Sequence, residues 1–287
     1  MRILVTGGTG FLGRHLLPLL AAHDVVALTR GKHAGRPPLP HVTWLPMNLS
    51  EGLDFKALPA KADAIIHLAQ SDQYRDFPSG AADVFRVNVE VPAALMRWAL
   101  DAGVSRAVFA STGSVYEPFS GTLREDAAVS PAGLYGASKL AAEALTLAYQ
   151  SKLAVAQLRV FFLYGPGQTN VMISRLIDNV RNGVMLTLPR DGDGLEFVPT
   201  YVEDTARVFV KACEDEWRGV WNVASPHAIS FRALSETIGR HVGRAPEFQR
   251  NDSAAPPRMV PDLAKLRAQL DIGGFLDAER GLTKTVS

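Results

Sequence analysis

The sequence has 287 residues, enough for one large domain or a domain with a smaller lobe, either of which can bury a full core. With 47% apolar and 21% charged residues it reads as a globular protein, and a net charge of +1 without runs of like charge excludes a strong pull toward nucleic acid or anionic membrane. A single cysteine, Cys213, excludes an intrachain disulfide and points to a reducing, cytoplasmic setting.

Ile3-Leu4-Val5 is a short apolar run broken at once by Gly7-Gly8. It is too short for a signal segment, and no stretch approaches the ~20 apolar residues of a membrane span. It predicts a buried parallel strand. Phe11, Leu12, His15, Leu16, Leu19 and Leu20 follow at helical spacing. Further strands are predicted at Val25–Leu28, Val42–Leu45, Ala64–Leu68, Ala107–Ala110 and Val155–Leu158. Between them, Gly80–Ala102 reads as a helix kinked at Pro92. Leu134–Gln150 reads as a helix with Leu140, Ala141, Ala144, Leu145 and Ala148 on one face. Strand–helix alternation over about the first 160 residues argues for a parallel sheet with helices on both faces. Beyond Gly165 the pattern loosens into helices at Val171–Arg181, Val202–Glu214, Phe231–Val242 and Asp262–Leu270, with a late strand at Gly219–Val223 and a frayed tail at Gly281–Ser287.

Gly7, Gly10 and Gly13 sit between the first strand and the first helix. Glycines there let the backbone approach a pyrophosphate, and the helix N-terminus offers free N–H groups to it. A tight strand–helix turn alone also needs glycine, but the strand–helix–strand context is that of a dinucleotide site. A carboxylate at the end of the second strand would read the NAD ribose; this chain has Thr29-Arg30, with Lys32 and Arg36 nearby. Arg30 could meet a 2′-phosphate, which leans the cofactor, NAD(P), toward NADP. Otherwise it is a solvated loop charge.

Tyr135 and Lys139 are four residues apart in a predicted helix and share a face. An ammonium beside a phenol should lower its pKa from about 10 and make it a usable acid/base. Ser111 and Thr112 follow a predicted strand, where parallel sheets place ligands. A hydroxyl there could hold the reacting oxygen, or simply cap a turn.

With these pieces in order, the chain resembles the extended short-chain dehydrogenase/reductase family, of the NAD-dependent epimerase/dehydratase type that acts on nucleotide sugars. The resemblance rests on Thr6–Gly13, His67-Leu68-Ala69, Asn88-Val89, Ser111–Tyr116, Tyr135–Lys139, Leu158-Arg159, Tyr164–Gln168, Tyr201–Asp204, Trp221–Ala224 and the stretch around Pro257-Arg258. It implies an α/β fold: a Rossmann-type doubly wound parallel sheet over residues 1–165 with returning segments near 197–225, and a smaller C-terminal α/β substrate lobe from 166–196 and 226–287. By position it implies Gly7, Gly10, Phe11 and Leu12 at the pyrophosphate, Arg30, Asn48 and Leu49 toward the adenosine, and Leu68, Ala69 and Phe161 along the cofactor cleft. Thr112 would be the hydroxyl partner, Tyr135 the acid/base and Lys139 its ribose-binding helper. Substrate contacts are expected from Ser111, Thr112, Phe162, Asn170, Arg250 and Arg258, with no metal.

The departures carry information. Dehydratases of this type have Asp-Glu after the Thr, where this chain has Gly113-Ser114, so dehydration and uronic-acid decarboxylation are set aside. A Cys/His epimerisation pair is also set aside, since Cys213 falls late in a helix. Phe162 stands where the family often has Asn, and Leu195–Thr200 lacks the Arg that often meets a diphosphate; Arg250 and Arg258 are the remaining clamp candidates. The reading is a ketoreductase of a nucleotide-activated sugar, with C4 the expected carbon. A 4-epimerase with retained NAD, and a reductase of a non-nucleotide carbonyl compound, stay open as alternatives. Gly80–Ala102 and Leu134–Gln150 carry apolar residues beyond one stripe, and the resemblance, in which members often pair these helices, implies a homodimer.

Overall fold

The computed structural model describes the chain except residues 32–37, 120, 255, 257 and 287. Lys32, Arg36 and Pro257 lie outside the described residues. The chain divides into two compact units. The first comprises Met1–Pro118, Ala128–Arg159 and Ala206–Trp221; the second comprises Phe119–Ala127, Val160–Thr205 and Asn222–Ser287.

The central sheet uses β1 (Arg2–Thr6), β2 (Asp24–Thr29), β3 (Val42–Pro46), β4 (Ala64–His67), β5 (Arg106–Thr112), β6 (Ala154–Val160) and the strand Gly219–Val223. Their spatial order is β3-β2-β1-β4-β5-β6, then Gly219–Val223. The pairs β1–β2, β1–β4, β2–β3 and β4–β5 are parallel. Ile3, Leu4, Val5, Ala64, Ile65 and Ile66 are fully buried. Central parallel strands covered on both faces have no wet side, which is why they read as unbroken apolar runs. Strand order reverses between β1 and β4, and a doubly wound sheet opens a crevice at that switch.

Helix α1 spans Phe11–Leu16 and passes into a tighter turn, Leu17–Leu20, begun by Pro18. The predicted helix over Gly80–Ala102 is interrupted, though not by Pro92. It is α2 (Ala81–Phe85), a π-turn (Arg86–Glu90) and α3 (Val91–Ala102), with Pro92 in the first turn of α3. Pro92 directly follows the π-turn, which runs into α3 without a break because the Val91 N–H donates to the Arg86 carbonyl.

Helix α4 (Leu134–Leu147) reverses the expected sidedness. Its buried face is Ser138, Lys139, Ala142, Glu143 and Thr146, while Leu145 is exposed. The apolar stripe read from the sequence lies largely outward. What decided the matter was the polar chemistry beneath the helix, to which hydropathy is blind.

The second unit holds α5 (Met172–Asn182), α7 (Phe231–Val242), α8 (Ala264–Gln269) and α9 (Ala278–Val286); α6 (Val202–Glu214) starts in it and ends in the first. Short strands pair Leu186–Leu188 with Phe248–Arg250 and Glu196–Phe197 with Ile229–Ser230. Its core is built from Tyr164, Ile173, Leu176, Ile177, Phe197, Leu234, Ile238 and Leu282. The expected frayed tail is instead α9. Leu282 is fully buried, and Gly281 lies so close to the Tyr164 hydroxyl that a Cβ would stand 1.8 Å from it.

Candidate active site

Four features of the first unit meet at the crevice: the turn after β1, the end of β4, the end of β5 and the start of α4. The turn is shaped by contact. Gly7 has φ +71°, and a Cβ there would lie 2.7 Å from the Ala69 nitrogen. At Gly13 a Cβ would lie 2.3 Å from the Gly7 carbonyl oxygen. Both positions hold the turn against β4 and α1, leaving no room for a side chain. Gly10 differs: a Cβ there would meet only the Gly7 oxygen at 3.1 Å, and Gly10 is exposed. Gly10 is the N-cap of α1 and no side chain caps that end. The first-turn N–H groups at Phe11 and Leu12 are thus left without a side-chain cap, and such a cradle has the shape and donors that a dinucleotide diphosphate would fit.

At the end of β4, register pairs Thr6 with His67, and the Thr6 hydroxyl lies 2.8 Å from His67 Nδ1. The same hydroxyl accepts from the Ala69 N–H at 3.2 Å, so the chain after His67 is tied back to β1. His67 is buried, and its pKa is pushed down to about 3, first by burial and then by the nearby Lys139 ammonium. It is neutral at physiological pH.

Thr112 closes β5 and caps the following turn, accepting from the Ser114 N–H at 3.2 Å. The cap reading of Thr112 therefore holds, and Thr112 is also a hydrogen-bond partner of the Tyr135 phenol. The two roles are compatible because a hydroxyl has one donor and two acceptor sites. Tyr135 and Lys139 both lie on α4. The Tyr135 hydroxyl donates to Gln70 Oε1 at 3.0 Å, and its ring stacks against Tyr74 at 5.0 Å. Lys139 is buried and donates to the Ala110 carbonyl at 3.1 Å.

The electrostatics correct one expectation. Although part of Tyr135 remains exposed, desolvation is the largest influence and pushes its phenol up to about 12; the Thr112 hydrogen bond pulls the other way and Tyr74 adds to the rise. Lys139 is driven down to about 8 by burial, with Glu143 opposing. In the protein by itself, therefore, the ammonium does not make Tyr135 acidic. Loss of water outweighs the charge.

Sequence reasoning missed several neighbours. Gln70 and Tyr74 follow the His-Leu-Ala stretch with no residue-type signal. Asn88 lies in the π-turn, where its Oδ1 accepts from the Ser71 N–H at 2.9 Å and its Nδ2 donates to the Ser138 hydroxyl at 3.1 Å. Ser138 in turn donates to the Tyr135 carbonyl at 2.8 Å. The π-turn thus aims one buried amide between the loop after β4 and α4, a recurrent use of such bulges. The Asn-Val pair was visible in the sequence, but its contact with Ser138 was not.

Toward the adenosine end, Arg30 is paired with Asp72 at 3.2 Å, both side chains being well exposed. Asn48 caps the turn Leu49–Glu51, accepting from Ser50 at 3.3 Å and donating to Glu51 at 2.8 Å.

The residues of the second unit stand as follows. Phe161 is buried, and its N–H donates to the Val223 carbonyl at 3.2 Å. Phe162 and Asn170 adopt left-handed backbone, with φ of 39° and 60°. For Asn this is ordinary; for a bulky ring it is strained, and Phe162 is held there by packing at 4.8 Å on Phe197 and by its carbonyl, which accepts from the Thr200 N–H. One Arg250 nitrogen donates to the carbonyls of Pro189, Arg190 and Gly192, which closes a loop. Arg258 pairs with Glu196 at 2.9 Å at the surface. In the first unit, Cys213 is fully buried and its thiol is pushed up to about 12 by burial, which suits packing and not proton transfer. Among the described residues no cluster of His, Cys, Asp and Glu is suited to a metal ion, and no helix is long and apolar enough to cross a membrane.

Residues 3–224 match the family described as the NAD dependent epimerase/dehydratase family. The chain is 30% identical to the uncharacterized UDP-glucose epimerase YtcB of Bacillus subtilis (strain 168), over 100% of this chain and 97% of that one. It is 26% identical to UDP-glucuronic acid decarboxylase 1 of Arabidopsis thaliana, over 100% of this chain and 69% of that one. Among solved structures it is similar to MoeE5 in complex with UDP-glucuronic acid and NAD, at 29% identity and a TM-score of 0.80, covering 100% of this chain and 98% of that one.

Proposed function

The chain belongs to the NAD dependent epimerase/dehydratase family, and from that premise we propose that it is an NAD-dependent 4-epimerase of a nucleoside-diphosphate sugar. The observation that carries this reading is the acid/base set on the crevice. Thr112, Tyr135 and Lys139 are gathered in one unit, while Gly113-Ser114 follows Thr112 without a second acid/base pair. Such a set serves removal and return of hydrogen at one carbinol carbon. It lacks the extra carboxylates that elimination of water or loss of a carboxyl group would use, so the decarboxylase relative does not redirect the reading.

When bound, NAD would supply the hydride acceptor and donor. Thr112 would hold the reacting oxygen, and Tyr135 would take and return its proton. At neutral pH Tyr135 carries its own proton in the protein alone, which suits it first to giving a proton. Gly7, Gly10, Phe11 and Leu12 would receive the diphosphate, Leu68 and Ala69 would line the cleft, Asn48 and Leu49 would meet the adenosine, and Lys139 would hold the ribose, with Phe161 kept as a cofactor candidate. Ser111, Phe162, Asn170, Arg250 and Arg258 stay candidates for the sugar nucleotide. The structure makes Arg250 and Arg258 weaker candidates, because each already has carbonyl or carboxylate partners.

Epimerisation is preferred over net ketoreduction for two reasons. The YtcB relative bears an epimerase name. The NADP lean rested on Thr29-Arg30 standing where a carboxylate would read the NAD ribose, with Lys32 and Arg36 nearby, and Asp72 now offsets the Arg30 charge. The MoeE5 structure, which holds NAD, supports the same cofactor here. The test is incubation of the protein with UDP-sugars, followed by proton NMR and absorbance at the NADH band. An epimerase interconverts the C4 epimers with no net change in absorbance. Stoichiometric NADPH consumption would overturn it in favour of the reductase. Tyr135→Phe should lower turnover by roughly 10²–10⁴ while leaving NAD binding intact.

A further inference from the structure

The face that α4 turns to the sheet is charged. Glu143 and Arg159 form a two-point pair, Nε to Oε1 at 3.0 Å and Nη2 to Oε2 at 2.7 Å, with side chains only 3% and 4% exposed. The Ser111 hydroxyl donates to the same carboxylate. Arg159 also donates to the Tyr116 hydroxyl at 2.8 Å. A buried ion pair brings little net stability by itself, because desolvating both ions offsets their attraction. Its position is informative. Ser111 is the residue before Thr112, and Glu143 stands one helical turn beyond Lys139 and two beyond Tyr135. The network therefore ties the end of β5 to the helix that carries the other two reacting groups.

We propose that Glu143 is a positioning residue of the site: pinned by Ser111 and Arg159, its carboxylate is the buried counter-charge against which the Lys139 ammonium is held. The link to turnover rests on the epimerase reading; the link to Lys139 does not. Lys139 and Glu143 are both buried one turn apart on the inward face of α4; Lys139 donates to the Ala110 carbonyl on β5 and acts on neutral His67 on β4, while Arg159 on β6 is bound to Glu143 and Tyr116. Glu143 is the sole anion in that set, and it opposes the burial that drives Lys139 toward its neutral form. Removing the whole pair should let burial prevail.

The experiment follows the 13Cε resonance of Lys139 with pH in the full-length protein labelled with [13C]lysine, the signal being assigned by its loss in Lys139→Arg. In the double variant Glu143→Gln/Arg159→Gln, which leaves no unpaired buried ion, the titration midpoint of Lys139 should fall by about one unit or more. Glu143→Asp, which retains the charge, should keep most of the wild-type midpoint. If the glutamine pair does not fold, Glu143→Met/Arg159→Leu reads the same shift through an apolar replacement. An unchanged midpoint in a folded variant overturns the proposal, because a merely structural rivet would change the melting temperature and leave Lys139 alone. The pH profile of C4 epimerisation then tests the link to turnover: its basic limb should move down with the midpoint. A protein that epimerises no nucleotide sugar would defeat the functional reading and leave the NMR result standing.

Discussion

The glycine turn separates two kinds of glycine, and substitution by alanine should tell them apart. Gly13 lies inside α1, where Gly→Ala ordinarily stabilises a helix by about 1 kcal/mol. Here a Cβ would be 2.3 Å from the Gly7 oxygen and 2.6 Å from the Gly8 Cα. Both are backbone atoms and cannot swing aside. Overpacking of this kind costs about 1–3 kcal/mol when neighbours can adjust, and rigid backbone puts Gly13→Ala at or above the upper end. After subtracting the propensity gain, roughly 2 kcal/mol of net loss remains, which lowers the melting temperature by about 4 °C or more for a chain of this size. Gly10 has extended backbone, φ −73° and ψ −178°, which alanine adopts freely, and its Cβ would meet one oxygen at 3.1 Å. Gly10→Ala should therefore melt within about 0.5 kcal/mol of wild type. Its methyl group would nevertheless stand at the mouth of the turn, and NAD affinity should fall by about tenfold or more, a loss of ~1.4 kcal/mol. Differential scanning fluorimetry gives the first quantity and calorimetric titration with NAD gives the second. A Gly13→Ala protein that melts like wild type would refute the contact argument. A Gly10→Ala protein that binds NAD normally would refute the placement of the diphosphate.

Three further outcomes follow from named contacts. His67 has a folded pKa of about 3 against 6.5 for the free side chain, so the unfolded chain binds more protons between those values and stability falls as pH drops through 6.5. At pH 5 this amounts to about 2 kcal/mol, and His67→Asn should lose that part of the difference between melts at pH 7.5 and pH 5; an unchanged difference would mean that His67 takes a proton when folded. Asp72→Asn should free Arg30 and tighten NADP binding by roughly fivefold, the ~1 kcal/mol of an exposed pair, while NAD binding stays the same; equal NADP affinity in both proteins would remove Arg30 from the cofactor site. Phe85 on α2 and Leu145 on α4 are exposed on helices that pack together, and we propose that they lie in a homodimer interface. Phe85→Glu should then convert a dimer mass in light scattering to that of a monomer, and a wild-type protein that is already monomeric would refute the interface.

The fold was largely legible because its signals are local. Each central strand is an apolar run bounded by glycine or a polar turn, and burial on both faces makes such runs unmistakable. The same holds for Gly7 and Gly13, where the turn admits no side chain, and for the four-residue spacing of Tyr135 and Lys139. The π-turn at Arg86–Glu90 was not legible, since any helical sequence can host one extra residue per turn; Pro92 drew the eye to the wrong place. The tail was misread because Gly281 signals a break, when its missing Cβ is what lets α9 pack on Tyr164.

By itself the sequence determined which residues could do the chemistry: the glycines, Thr112, Tyr135 and Lys139, in an order that only a doubly wound sheet brings to one crevice. The tertiary structure decided how those groups are charged and what they lean on. It turned the polar face of α4 inward, joined Glu143 on that face to Arg159, and paired Arg30 with Asp72 across 42 residues of chain. The reason is physical. Hydropathy and spacing record what a residue prefers on average, whereas a pKa or a charge pair depends on the water a neighbour removes and the counter-ion a distant strand supplies.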